Sequence, residues 1–181
     1  MEIERGFERK PFADLDPGTL FAAIIGRRCG IRAIKARAEV NKGELDDFFV
    51  IVGPFDNETG QFPTLHHHDA LYTDSVLELT GGYRISPSLS PDDFMLELPL
   101  ADDVNGVLLI LQDNQILMSV AVIDSAGRIH RRWLDVKTGE ILRPLKHTDY
   151  IVTRRWRITA PVKNSAPETI FEFRAPDADP D

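Results

Sequence analysis

Three consecutive histidines and an aspartate form the most conspicuous chemical cluster in the sequence, at His66, His67, His68 and Asp69. On an extended backbone alternate side chains point to the same side, so His66 and His68 would project together. Two imidazoles with a carboxylate are ligands that zinc, iron and manganese accept. The sequence therefore predicts a divalent transition-metal site that uses His66, His68 and Asp69. His147 would complete this site if its loop lies beside them.

A histidine pair spaced in this way resembles the metal-binding pair of the cupin β-barrels. The resemblance implies a metal-dependent enzyme on a β-barrel, with a divalent transition metal and open coordination positions for substrate. The glutamate of the cupin motif is missing, because Tyr72 and Thr73 stand where it would follow, and the framing glycines are absent. The alternative interpretation is a polar surface loop whose imidazoles are only solvated.

A second group of candidate residues is basic and lies on two predicted strands, three residues on one and two on the other: Arg128, His130 and Arg132, then Arg155 and Arg157. Residues two apart on a strand share one side of it. If the two strands were neighbours, these side chains would line a face able to bind phosphate, carboxylate or sulfate. The sequence predicts such an anion-binding face, and the alternative is a solvated surface that offsets acidic segments elsewhere.

These residues must be positioned by strands, because apolar and polar side chains alternate over most of the chain. Residues 107–142 contain apolar segments separated by turn clusters at 112–115, 124–127 and 137–140. This arrangement is typical of antiparallel strands joined by hairpins. Asp, Asn and Gly suit the turns because they bond their own backbone or accept a positive φ. The sequence predicts a β-meander here.

Further strands are predicted on both sides of the meander, at 20–25, 34–40, 48–52, 76–79, 83–86, 94–100, 150–159 and 169–174. In the strand at 34–40, apolar residues alternate with Lys35 and Arg37, which predicts one face in the core and the other in water. The pair Asp46 and Asp47 is interpreted as turn-forming and solubilising. We predict an all-β protein with at most one or two short helices, an antiparallel meander closed into a barrel or a sandwich.

Two passages of the sequence resemble each other, at 56–72 and 135–151. Both run from Asp through Thr-Gly and a proline to a His-x-Asp element. Each is followed by Thr, an aromatic residue, Arg, Ile and then Ser or Thr. A genuine duplication would give the fold two related halves, whereas hairpin turns that contain Thr-Gly also recur for backbone reasons alone. Both interpretations stay open.

The 181-residue chain has 43% hydrophobic and 28% charged residues, as ordinary globular proteins do. This length fits one β-rich domain over 1–175, and the acidic tail at 176–181 is predicted to be disordered because it has nothing to bury. The single cysteine, Cys29, excludes an internal disulfide and favours the cytoplasm. The N-terminus lacks an export-signal pattern, and the longest apolar runs fall short of the roughly 20 residues that a membrane helix needs.

Charge is segregated along the chain, whose net charge is −8. Residues 44–125 carry fifteen acidic side chains against one arginine, and residues 126–157 carry nine basic side chains against three acidic ones. Segments that neutralise each other within the fold would explain this pattern. So would opposite faces, one of which docks a partner. The net negative charge argues against nucleic-acid binding.

The sequence has no phosphate-binding glycine loop, dinucleotide fingerprint or nucleophile elbow. The leading hypothesis is therefore a non-catalytic binding or assembly protein without a cofactor, which self-associates through its charged surfaces or docks another protein. The alternative hypothesis is the metal-dependent, cupin-like enzyme that uses the histidine cluster.

Overall fold

The computed structural model describes residues 6–41, 43–55, 62–80, 82–88, 90–95, 105–124, 126–142, 150–162 and 164–175. The helical segments in these ranges are three 3-10 turns of three residues, at Phe12–Asp14, His68–Ala70 and Pro91–Asp93. The strands are β1 Gly6–Pro11, β2 Leu20–Ile25, β3 Arg28–Asn41, β4 Glu44–Gly53, β5 Thr64–His67, β6 Ser75–Thr80, β7 Arg84–Pro87, β8 Phe94–Met95, β9 Leu108–Leu111, β10 Ile116–Ile123, β11 Ile129–Asp135, β12 Ile141–Leu142, β13 Tyr150–Thr153, β14 Arg155–Ala160 and β15 Glu168–Arg174. The all-β prediction is confirmed.

The strands form a large sheet and a small one. The large sheet has twelve strands in the order β1-β6-β2-β3-β4-β5-β10-β9-β13-β8, and β11 and β12 branch from β10. The small sheet has the order β15-β14-β7. Among the described strands β1 pairs only with β6 and β8 only with β13, so the large sheet is not closed there. The sandwich alternative therefore describes the fold, and the barrel alternative does not.

The predicted meander is present as β9, β10, β11 and β12, which pair with their sequence neighbours in antiparallel register. Its turns contain residues with positive φ, at Asn114 (63°), Gly127 (76°) and Gly139 (72°). These are residue types that adopt this conformation at the lowest steric cost. The prediction is confirmed in both its strands and its turn chemistry.

The main core lies between the two sheets. Val50 and Leu117 of the large sheet and Ile158 of the small sheet are fully buried in it. Trp156 is also fully buried, and its indole Nε1 donates a hydrogen bond to the Gly106 carbonyl over 2.7 Å. Each large apolar side chain buried in this way contributes roughly 1.5–3 kcal/mol to stability. This core is what fixes the two sheets against each other.

A second, smaller core covers the opposite face of β2, β3 and β4. Phe12, Phe21 and Phe49 pack there edge to face, with ring centroids 5.6–6.3 Å apart. The 3-10 turn Phe12–Asp14 supplies the first of these rings and lies over the strands. The three central strands are therefore covered on both faces.

Lys35 corrects the prediction that one face of its strand lies in water. The side chain is fully buried, because the turn that carries Phe12 covers it. Its ammonium nitrogen lies 3.1 Å from the carbonyl oxygens of both Phe12 and Ala13 and 2.8 Å from Asp47 Oδ2. A buried charge is tolerated when it is paired and hydrogen-bonded, as this one is. The period of the strand was predicted correctly, but the covering layer was not.

Two glycines allow the turn between β11 and β12 to contact the start of β2. Gly18 and Gly139 both have positive φ, and a Cβ on either would overlap the backbone of the other segment. The amide of Gly18 donates to the carbonyl of Lys35, and the amide of Arg37 donates to the carbonyl of Gly139, both over 2.8 Å. The last hairpin of the meander is thus attached to β3.

The possible duplication stays a prediction. Residues 56–61 and 143–149, which carry parts of both repeats, lie outside the described residues. The strands that follow the repeats, β7 and β14, pair with each other in the small sheet, with Ile85 opposite Ile158. These isoleucines occupy equivalent positions in the two sequence passages.

Several other predictions concern residues that the structure does not describe. The tail at 176–181 and the second part of the strand predicted at 94–100 lie outside the described residues. The described residues contain no helix that is both long enough and apolar enough to cross a membrane. The single cysteine, Cys29, is exposed.

Candidate metal site beside strand β5

The three histidines stand where a short strand ends and a 3-10 turn begins. Strand β5 pairs antiparallel with β4, so that His66 lies opposite Phe49 and His67 opposite Phe48. The turn His68–Ala70 begins directly after His67. Strand alternation therefore holds for His66 and His67 but stops before His68. Among the described residues, His66 does not join His68 in a group of neighbouring ligand atoms.

His66 belongs to the second core. Its ring stacks on Phe49 with centroids 5.4 Å apart and an interplanar angle of 14°. Its Nε2 lies 2.8 Å from Thr64 Oγ1. Burial lowers the pKa of His66 below its usual value of 6.5, because a desolvated imidazolium is disfavoured. These contacts explain His66 as a packing residue.

His67 and His68 instead meet Asp46 at the end of β4. One possible ligand atom from each of these three residues lies within 4.8 Å of the other two. The His67 Nε2 atom is 3.0 Å from Asp46 Oδ2, and the two imidazole rings are 4.1 Å apart. The side chains are 39%, 45% and 37% exposed in the order His67, His68, Asp46, so the cluster is open to solvent on one side.

Asp69 bonds to both of these imidazoles. Its carboxylate oxygens lie 3.0 Å from His67 Nδ1 and 3.1 Å from His68 Nε2. The interaction with His67, followed by a hydrogen bond from the Asp47 amide, lowers the pKa of Asp46 below its usual value of 3.8. Asp46 is therefore a carboxylate over most of the pH range, and it faces two imidazoles that a second carboxylate orients.

A network of charged residues continues from this cluster into the second core. Asp47, the neighbour of Asp46, forms an ion pair through its Oδ2 atom with the buried ammonium of Lys35. Its Oδ1 lies 3.3 Å from Arg37 Nε, and its carbonyl lies 3.3 Å from His68 Nδ1. Asp46 and Asp47 are thus part of a strand and fully engaged, and the interpretation of this pair as turn residues is wrong.

The predicted metal residues are partly brought together. His68 lies in the cluster and Asp69 contacts its two imidazoles, whereas His66 lies outside the cluster and His147 lies outside the described residues. The sequence analysis did not identify Asp46 as a candidate ligand and assigned no metal-binding role to His67. The register between β4 and β5 brings these two together across a connection of ten residues, 54–63. No local pattern reveals that register.

The five predicted anion-binding residues do not form one face. Strand β11 lies in the large sheet and β14 in the small sheet, so the strands that carry them are not neighbours. Arg128 Nε and His130 Nε2 both contact Asp124 Oδ2, over 2.9 and 3.0 Å. Arg132 is exposed and donates to the carbonyl of Arg131. These contacts favour the interpretation that acidic neighbours such as Asp124 neutralise the basic residues at 128–132.

Arg155 and Arg157 do share a surface, as predicted for residues two apart on a strand. They line a cavity of about 380 Å³ together with Ser88 and Glu172. Arg155 forms an ion pair with Glu172, which raises the pKa of the guanidinium above its usual value. Anion binding at Arg155 and Arg157 stays a prediction, with one of the two charges already paired.

Replacing Asp124 by asparagine will destabilise the protein more at neutral pH than in acid. Contact with His130, followed by the Arg128 amide, lowers the pKa of Asp124 from 3.8 to about 2. A carboxyl whose pKa is lower in the folded state stabilises the fold above its unfolded value, and this contribution is lost as the pH falls from about 4 towards 2. Urea unfolding of both proteins across that range should show the difference shrinking. If the free energies of unfolding of the two proteins differed by the same amount across that pH range, the lowered pKa of Asp124 would be contradicted.

Another cavity lies away from the histidine cluster, at the edge of the inter-sheet core. It has a volume of about 670 Å³ and combines apolar side chains such as Ile34, Ile85 and Ile116 with the polar residues Arg84 and Asn114. None of the residues predicted to bind metal or anions lines it. Its size falls within the range of small-molecule sites.

Comparison of the chain with protein-family models, with curated proteins and with solved structures finds no match. The inference of function therefore depends on the geometry and chemistry of the chain itself.

Proposed function

We propose that the chain is a metal-binding protein whose ion is held by Asp46, His67 and His68. The observation that carries this proposal is the mutual approach of their ligand atoms to within 4.8 Å. Metal-ligand bonds of about 2.0–2.2 Å place neighbouring ligand atoms of one ion roughly 3–4 Å apart. Small side-chain rotations at the solvent-exposed end of β4 would close that difference.

The position of Asp69 supports coordination. A histidine that binds a metal through one ring nitrogen commonly donates its other N–H to a carboxylate, which fixes the tautomer and the ring orientation. Asp69 contacts His67 Nδ1 and His68 Nε2. The opposite nitrogens would face the ion once they release their present partners, His67 Nε2 from Asp46 Oδ2 and His68 Nδ1 from the Asp47 carbonyl. Asp69, which the sequence suggested as a ligand, is better placed as the residue that orients both imidazoles.

The ligand set indicates the class of ion. Imidazole nitrogen and carboxylate oxygen suit zinc and also iron, nickel and manganese. Three protein ligands leave at least one coordination position open, as in catalytic zinc sites, in which water or substrate takes that position. The proposal thus retains the metal-dependent alternative from the sequence. It replaces the ligands His66 and Asp69 by His67 and Asp46 and keeps His68.

The test is metal binding by protein purified without a histidine tag and stripped with a chelator. Calorimetric titration with zinc should give one ion per chain, and cobalt(II) should give visible absorption bands typical of a low-symmetry nitrogen and oxygen site. The matched control is the double variant Asp46→Asn, His67→Ala. Binding of equal strength and stoichiometry to both proteins, or no binding to either, would overturn the proposal.

A second candidate function is the binding of a small molecule in the cleft of about 670 Å³ between the sheets. This cleft favours the non-catalytic binding protein that the sequence suggested. Ligand-observed NMR with a library of small molecules tests it. Hits should be lost in Ile85→Trp, which fills the cleft, and kept in Ile151→Trp, whose side chain is 53% exposed on β13. Hits that survive Ile85→Trp, or none at all, would reject this candidate.

Self-association through charged surfaces stays a prediction. Light scattering coupled to size exclusion should show oligomers at low ionic strength that dissociate near 1 M salt, where the screening length falls to about 3 Å. Internal ion pairs such as Arg128 with Asp124 and Lys10 with Glu78 reduce the charge left for a partner, so the association should be weak. A monomer of constant mass at both salt concentrations would rule it out.

A further inference from the structure

A small cavity adjoins the proposed metal site. It has a volume of about 340 Å³, and its wall includes two of the proposed ligand residues, Asp46 and His68. The same wall contains Arg37 from β3 and the apolar side chains of Phe12 and Leu45. The open coordination positions of an ion at the site would therefore lie beside a pocket that carries its own cation and its own apolar surface.

The positive charge of Arg37 is not neutralised by its acidic neighbour. Arg37 contacts Asp47 through Nε only, over 3.3 Å, and its terminal nitrogens have no partner among the described residues. Asp47 is already paired at closer range with the ammonium of Lys35, over 2.8 Å. The Lys35 and Asp47 charges cancel. The guanidinium, which is 41% exposed, is the surplus cation of this network.

The charge of the cluster depends on the ion. With neutral histidines, the carboxylates of Asp46 and Asp69 exceed the charge of Arg37 by one negative unit. A divalent ion reverses this balance to one positive unit. An anion is thus repelled from the metal-free site and attracted to the loaded one, where a guanidinium and a metal ion offer two matched partners for oxygen atoms.

We propose that this cavity binds a small organic carboxylate, with its oxygens between the bound metal ion and Arg37 and its apolar part against Phe12 and Leu45. This inference rests on the proposed metal-binding function. A carboxylate is favoured over an inorganic anion because Phe12, Ala13 and Leu45 add apolar surface to the lining of the cavity, beside Arg37 and Asp47. The volume lies near the lower end of the range of small-molecule sites, which fits a ligand of a few carbon atoms.

The experiment titrates butyrate into zinc-loaded and metal-free protein by calorimetry, with n-butanol as the uncharged probe. Butyrate should bind the loaded protein, and its affinity should fall at least tenfold in metal-free protein and in zinc-loaded Arg37→Gln. Leu45→Glu, which adds a carboxylate to a side chain that is 62% exposed, should also weaken it. Arg9→Gln, an exposed arginine of the edge strand β1, is the matched control and should leave butyrate affinity unchanged.

Each outcome decides between the two proposals. Failure of zinc to bind the wild-type chain rejects the metal site and this inference with it. Zinc binding without butyrate binding rejects this inference alone. Equal butyrate affinity in wild type and Arg37→Gln, when both are loaded with zinc, also overturns it, as does n-butanol binding as tightly as butyrate.

Discussion

Replacing His67 by alanine will lower the affinity of the chain for zinc by about 100-fold or more. Loss of residues that merely orient a metal ligand already costs about 10–100-fold, and His67 is proposed as a ligand itself. It also positions Asp46, because its Nε2 lies 3.0 Å from Asp46 Oδ2. Competition of zinc between the variant and a chromogenic chelator measures the change.

His66→Phe is the matched control for this prediction. It removes an adjacent imidazole but keeps an aromatic ring to stack on Phe49, as His66 does. Zinc affinity should stay within about twofold of the wild type. If instead His66→Phe loses the ion and His67→Ala keeps it, the site follows the simple alternation of the sequence, and the assignment to the end of β4 is wrong.

Replacing Lys35 by methionine will lower the free energy of unfolding by about 1–3 kcal/mol, the usual cost of leaving buried polar groups without their hydrogen-bond partner. The change leaves Asp47 without its closest cation. It also leaves the carbonyls of Phe12 and Ala13 without the ammonium that they now bind. Denaturant unfolding at neutral pH measures the loss.

Lys10→Met supplies the comparison. Lys10 also forms a short ion pair, 2.6 Å from Glu78, but its side chain is 33% exposed on the edge strand β1. Exposed pairs contribute about 0–1 kcal/mol, so this substitution should cost less than about 1 kcal/mol. Similar losses for the two variants would show that Lys35 is hydrated in solution and that the turn at Phe12 does not seal it.

Most of the fold follows from local sequence patterns. Period-two alternation and turn residues with positive φ predict the strands of the meander, because each acts over a few neighbouring residues. The sequence does not predict which strands become neighbours. Arg132 and Arg157 show this, since the strands that carry them alternate as expected but lie in different sheets. The predicted anion-binding face required β11 and β14 to be neighbours, and they are not.

The candidate site was predicted only in part. The sequence analysis named His66 and His68 of the histidine run, whereas His67 and His68 are the ones that lie beside Asp46, because alternation was extended one residue too far, beyond His67, where β5 ends. Asp46 comes from a strand whose register with β5 depends on tertiary packing. Lys35 was placed in water for a related reason, because the segment that covers it lies over twenty residues earlier in the chain.

The contact between Gly18 and Gly139 has a consequence for how the molecule opens. The amide of Arg37 donates to the Gly139 carbonyl, so it cannot exchange its hydrogen with deuterium while the last hairpin of the meander remains attached to β3. The amide of Gly18 donates to Lys35 within the N-terminal strands and reports on the entry to β2 instead. Equal exchange rates at these two amides would therefore mean that the N-terminal strands and the meander open together, although more than one hundred residues separate Gly18 from Gly139 along the chain.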